Sequence, residues 1–93
     1  MTKFEISAIL TAMGYVQTPH GHFVKGERGK RTRYKLQATS MRVERESLIP
    51  DFDGTPRSFW TRIGGGYYKD IALNEAGDKL RIGHPGKNSR DHP

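Results

Sequence analysis

From Thr32 to Ala38 the chain alternates strictly, with Tyr34, Leu36 and Ala38 on one side and Arg33, Lys35 and Gln37 on the other. Successive side chains of a strand point to opposite faces, so this pattern describes a half-buried strand with one apolar and one cationic face. After Ala38 the apolar positions change parity, from 34, 36 and 38 to Met41 and Val43. An uninterrupted strand of period two cannot do this, and a bulge or break is expected at Thr39-Ser40. Arg42, Glu44 and Glu46 are then expected to face solvent, whereas Arg45 falls on the inner face with Met41 and Val43.

The elements before this strand follow from the same reasoning. Ile6, Ile9, Leu10 and Met13 have the i, i+3, i+4, i+7 spacing of an amphipathic helix over Thr2 to Met13. Thr2 and Glu5 have capping-box spacing, and Gly14 is placed to end the helix in a left-handed conformation. Tyr15 to Gln17 and His22 to Lys25 read as extended segments around a Thr18-Pro19-His20-Gly21 turn. His22 to Lys25 and Thr32 to Ala38 then form a hairpin with a basic tip across Gly26 to Gly29.

Downstream, Ser47 to Ser58 reads as a loop by its proline, glycine and aspartate content, and its length makes it a candidate for function or mobility. Phe59 to Ile63 and Tyr67 to Leu73 read as strands joined by a Gly64-Gly65-Gly66 hairpin turn. Asn74 to Asp78 is a further turn, Lys79 to Ile82 a short last strand, and 83–93 a disordered tail with no apolar anchor. The expected fold is α+β: one domain over residues 1–82, with the N-terminal helix packed on a four- to five-stranded antiparallel sheet. At 93 residues and 33% apolar content, its core should be thin.

Charge is distributed unevenly. Lys25 to Arg45 holds eight basic residues against Glu27 and Glu44, which accounts for the whole formal excess of +6. Such asymmetry bears on partners. Arg31, Arg33 and Lys35 share one strand face at i, i+2, i+4, and Lys25, Arg28 and Lys30 extend the set through the loop. Lysine and arginine bind phosphate backbones by neutralising charge and releasing counterions, and arginine adds a planar fork. The alternatives are an edge strand protected by charge against aggregation and a contact with an acidic protein surface. Tyr34 and Tyr68 are candidate stacking residues for bases, whereas Trp60 and at least one of Tyr67 and Tyr68 are expected in the core.

Catalytic signatures are weak. There is no cysteine, which excludes disulfides, thiolate metal sites and a cysteine nucleophile. His20 and His22 form an H-x-H pair without a third ligand of clear spacing, and Asp51-Phe52-Asp53-Gly54 lacks the remaining positions of a calcium loop. A metal-dependent nuclease assembled from His20, His22, Asp51 and Asp53 is the enzymatic alternative. Gly64-Gly65-Gly66 is followed by neither the lysine nor the helix of a phosphate loop. No enzyme, cofactor, resident metal or small-molecule substrate is expected. No apolar run approaches the roughly 20 residues that span a bilayer, and no anchor accompanies the basic segment, so no membrane partner is expected and the default location is the cytoplasm.

Tyr34-Lys35-Leu36-Gln37-Ala38-Thr39-Ser40 with Arg42-x-Glu44, and later Trp60-x-Arg62 with Gly66-Tyr67-Tyr68-Lys69-Asp70-Ile71, resembles short phage and prophage proteins over about residues 5 to 82. The anti-CRISPR family is similar in size and in compact α+β character. The resemblance implies a non-enzymatic inhibitor in the cytoplasm of a bacterial host, seated in the nucleic-acid channel of a CRISPR effector ribonucleoprotein of guide RNA and Cas subunits. Many such inhibitors are acidic mimics of DNA. This basic chain departs from them in a way that suits contact with guide-RNA phosphates. A free-standing DNA- or RNA-binding protein of a phage or mobile element is the alternative. On either reading, charge reversal at Arg31 and Arg33 is expected to abolish binding and leave the fold intact.

Overall fold

Thr2 begins the helix as expected. Its hydroxyl accepts from the Glu5 backbone N–H at 3.1 Å, and the Glu5 carboxylate accepts from the Thr2 N–H at 2.9 Å. The computed structural model describes residues 1–77 and 79–82, together with the backbone of 90–92. In it α1 spans Lys3–Ala12 and buries Ile6 and Leu10. Gly14 follows with φ +94°. The Gly14 and Tyr15 N–H groups return to the carbonyls of Thr11 and Leu10, the paired bonds of a Schellman stop.

Five antiparallel strands follow in simple order: β1 (Val16–Gln17), β2 (Phe23–Lys25), β3 (Thr32–Leu36), β4 (Ser40–Pro50) and β5 (Pro56–Tyr67). Phe23, Tyr34 and Val43 lie opposite one another on adjacent strands, with Leu36 opposite Met41. This face packs with Ile6 and Leu10 to form the core, and Tyr15 meets Tyr34 edge to face at 5.1 Å. The expected helix on an antiparallel sheet is therefore the fold.

The parity change is a reversal of the chain: Gln37 to Ser40 turns β3 into β4, with the Gln37 N–H on the Ser40 carbonyl. A four-residue turn that keeps Leu36 and Met41 paired on one face switches parity by itself. The irregularity of the sheet lies further on, where Val43 pairs Gly64 and Glu44 pairs Arg62, leaving Ile63 as the extra residue of a bulge. Arg45 does share the inner face, but it is exposed there.

Two expectations fail together. Ser47 to Ser58 is no loop, because β4 and β5 pair as far as Pro50 and Pro56, leaving a short turn at the end of a long hairpin. The triglycine is no turn either, for Gly64, Gly65 and Gly66 pair with Val43, Arg42 and Met41 inside β5. Close approach explains the glycines. A Cβ at Gly65, whose φ is +146°, would lie 2.4 Å from the Met41 carbonyl oxygen, and one at Gly66 would lie 2.8 Å from Ile82 Cγ2.

That second contact joins a smaller sheet to the first. After a 3-10 turn at Tyr68–Asp70, β6 (Ile71–Leu73), β7 (Leu80–Ile82) and β8 (Arg90–His92) pair antiparallel in chain order. Ile71, Leu80 and Ile82 complete the core. Most of the expected tail, 83–89 and 93, lies outside the described residues, while the backbone of 90–92 pairs with β7. Among the described residues no helix is long and apolar enough to cross a membrane.

Gly65→Ala is expected to cost about 2–4 kcal/mol in chemical denaturation, through backbone strain and the carbonyl clash. Gly21→Ala has an open site at φ +83° and should cost only about 1 kcal/mol. Equal losses at the two positions would contradict the close-approach account.

Candidate nucleic-acid interface

The face of the sheet turned away from α1 is polar, and its centre is a set of ion pairs. Glu46, only 2% exposed, accepts four hydrogen bonds. Arg31 supplies two, from Nε at 2.8 Å and Nη2 at 2.6 Å; the Gly29 N–H and the Ser58 hydroxyl supply the others, each at 2.6 Å. One strand position along, Glu44 accepts from Nε and Nη2 of Arg33 at 2.9 and 2.6 Å. The guanidinium of Arg33 lies over the Trp60 ring at 4.0 Å and that of Arg31 at 5.5 Å. Stacking on an indole suits arginine because its planar cation is weakly hydrated.

This arrangement corrects the solvent-facing assignment of Glu44 and Glu46: the alternation places them on the polar face, and the arginines cover them. It also removes Arg31 and Arg33 from the pool of free cations. Reversing their charge would set carboxylates against buried carboxylates, so the fold would not survive as expected. Trp60 belongs to this layer and not to the core.

The other basic residues divide between places. Arg28 is exposed on the β2–β3 loop. Lys25 turns to the helix side, where its ammonium donates to the Met13 carbonyl at 2.6 Å and lies 5.6 Å from the Tyr15 ring centre. Lys30 lines a cleft on that same side with Met13 and Tyr15. Lys35 stays on the polar face directly opposite Arg42. The six basic residues therefore do not form one ribbon. Tyr34 and Tyr68 offer no ring to a base: Tyr34 is fully buried, and Tyr68 is buried with its hydroxyl on the Gln37 carbonyl.

On the polar face two cations of the basic segment, Lys35 and Arg42, are joined by Arg62 from outside it. Lys35 on β3 faces Arg42 on β4, which pairs with Gly65 on β5. Arg62 Nη2 sits where a side chain at Gly65 would point, 3.3 Å from that position. Arg42 and Arg62 line a depression of about 210 Å³ with Gln37, Ser40 and Tyr67. Among the described residues, none of Lys35, Arg42 and Arg62 has an ion-pair partner. His22 registers the positive field: its pKa lies below the ordinary value, first through burial and then through Arg33 and Lys35. The sequence signal for Arg62 is the alternation Ser58, Trp60, Arg62, which repeats that of Arg42, Glu44, Glu46 and which the prolines, glycine and aspartates of 50–56 disguise as a loop.

The histidines and aspartates named for a nuclease are not gathered. His20 and His22 adjoin the β1–β2 turn with rings 6.2 Å apart, whereas Asp51 and Asp53 occupy the β4–β5 turn. Among the described residues no group of three or more histidine or carboxylate side chains is placed to hold a metal ion. No family model, curated protein or solved structure matches the chain.

Arg31→Ala leaves the Glu46 carboxylate buried without its cation and is expected to cost about 3 kcal/mol at neutral pH. Arg31, first among several donors, holds the Glu46 carboxyl well below its ordinary 4.5. A depressed folded-state pKa stabilises above the unfolded value, and that stability fades as pH falls below about 4.5. Thermal melts between roughly pH 6 and 2.5 should show a shallower acid decline for Glu46→Gln than for the parent, and parallel declines would contradict the assignment.

Proposed function

We propose that this chain is a small non-enzymatic binding protein that grips a nucleic-acid phosphate backbone through Lys35, Arg42 and Arg62, with Arg28 reaching the same strand from the loop. The supporting observation is the row itself. Three adjacent strands present these cations on one face, unneutralised among the described residues. Like charges directly opposite on neighbouring strands destabilise a sheet, so the Lys35–Arg42 pair is unfavourable until an anion sits between them. Exposed Tyr67 flanks the depression as a ring for a neighbouring base.

The concrete form of this reading is an inhibitor that meets guide-RNA phosphates in a CRISPR effector complex, in the cytoplasm of a bacterial host. A free polynucleotide binder uses the same chemistry. The two separate in a pull-down from a lysate with an active CRISPR system: effector subunits retained after nuclease treatment support the inhibitor, and only nuclease-sensitive mixed polynucleotide supports the free binder.

The site is tested by fluorescence anisotropy with a labelled RNA oligonucleotide of about 20 residues, the length of a guide segment. The Arg42→Glu/Arg62→Glu variant should bind at least about tenfold more weakly, and its salt dependence should flatten by roughly one phosphate contact per arginine. Circular dichroism should stay unchanged, since neither residue holds a buried partner. Undiminished binding by the folded variant overturns the site.

A further inference from the structure

Phe52 stands 98% exposed at the end of the β4–β5 hairpin. The turn that carries it is tightly built. The Phe52 N–H donates to the Asp51 carboxylate at 2.8 Å, the Gly54 N–H to the Asp51 carbonyl at 2.8 Å, and the Thr55 N–H to the Asp53 carboxylate at 2.9 Å. Arg57 clamps the other Asp51 oxygen at 2.5 Å. The backbone of the turn is thus fixed, and it presents the exposed ring between two carboxylates, that of Asp51 paired with Arg57. Phosphate is repelled by such a tip, so it addresses a different partner from the cationic face.

A matching socket lies on the same chain. On the helix side of the sheet, between the end of α1 and the β2–β3 loop, is an open cleft of about 340 Å³. Met13, Tyr15 and Thr32 line it, with Lys25, Lys30 and Lys79. An apolar floor takes a phenyl ring, and surrounding ammonium groups take the flanking carboxylates. Phe52 does not fill its own cleft, because it is in solvent.

We propose that Asp51, Phe52 and Asp53 of one copy plug the Tyr15 cleft of a second copy, and that two copies exchange arms reciprocally about a two-fold axis. Plug and socket are different surfaces, so a single contact is heterologous; reciprocal exchange closes it into a dimer with two plugs. The inference stands apart from the phosphate-binding reading, because Lys35, Arg42 and Arg62 lie on the opposite face.

Sedimentation velocity of the whole chain from about 1 to 500 µM, a range that covers weak dimers, tests it. The parent chain should dimerise as concentration rises, and Arg42→Glu/Arg62→Glu should dimerise equally well. Phe52→Ala, at a side chain with no packing to lose, should raise the dimer dissociation constant at least about tenfold, as should Lys30→Glu/Lys79→Glu. Mixing these last two variants restores one intact plug to one intact socket, so the mixture should associate more tightly than either alone. A parent chain that stays monomeric, association that ignores Phe52→Ala, or a mixture no better than its components overturns the proposal. Capture of a different protein through Phe52 by a monomeric chain also overturns it, and reassigns the tip.

Discussion

The carboxylate of Glu46 is the point on which the polar half of this molecule depends. It lies in β4, yet its hydrogen bonds come from Gly29 and Arg31 of the β2–β3 loop and from Ser58 of β5. One side chain therefore ties that loop and β5 to β4. A buried ion is tolerable only when its lone pairs are satisfied, and here four donors satisfy them. Glu44 repeats the device a step along the strand, and Trp60 roofs both arginines. Among the described residues the buried apolar cluster lies on the other face, and this ionic layer organises the face that the cluster leaves uncovered.

This layer changes the meaning of the basic segment. Part of its charge is internal, spent on buried carboxylates, and part is turned to the helix side through Lys25 and Lys30. What remains on the polar face gathers toward the opposite end of β3, around Lys35 and Arg42, and is joined there by Arg62 of β5, which lies outside the basic segment. A run of charge in sequence is thus a mixture of structural and surface roles, separated only by which carboxylates fold beneath it.

Local patterns were legible to the extent that their causes are local. The cap at Thr2, the stop at Gly14, the alternation around Tyr34 and the turn at Thr18 each depend on a few neighbouring residues, and each appears where expected. The β4–β5 pairing was hidden because its signals mislead. Pro50 and Pro56 end the strands and do not interrupt them, and three successive glycines look like a turn until the Met41 carbonyl and Ile82 are seen against them. With that pairing missed, Glu46 had no visible partner and Arg62 no visible neighbour. The basic residues are plain in the sequence, but which of them stay free is a long-range fact that alternation cannot report.

Ile63 has a consequence for descent. The bulge it makes is the single register shift between β4 and β5, and from there to the tip the two strands pair without interruption. Inserting or deleting two residues in each strand beyond it would move the tip outward or inward by one pleat repeat and keep every side chain on its own face. A change of one residue per strand would instead turn the tip over. The hairpin is thus a ruler graduated in two-residue steps, along which related chains can vary their reach while the ionic layer beneath Trp60 stays fixed.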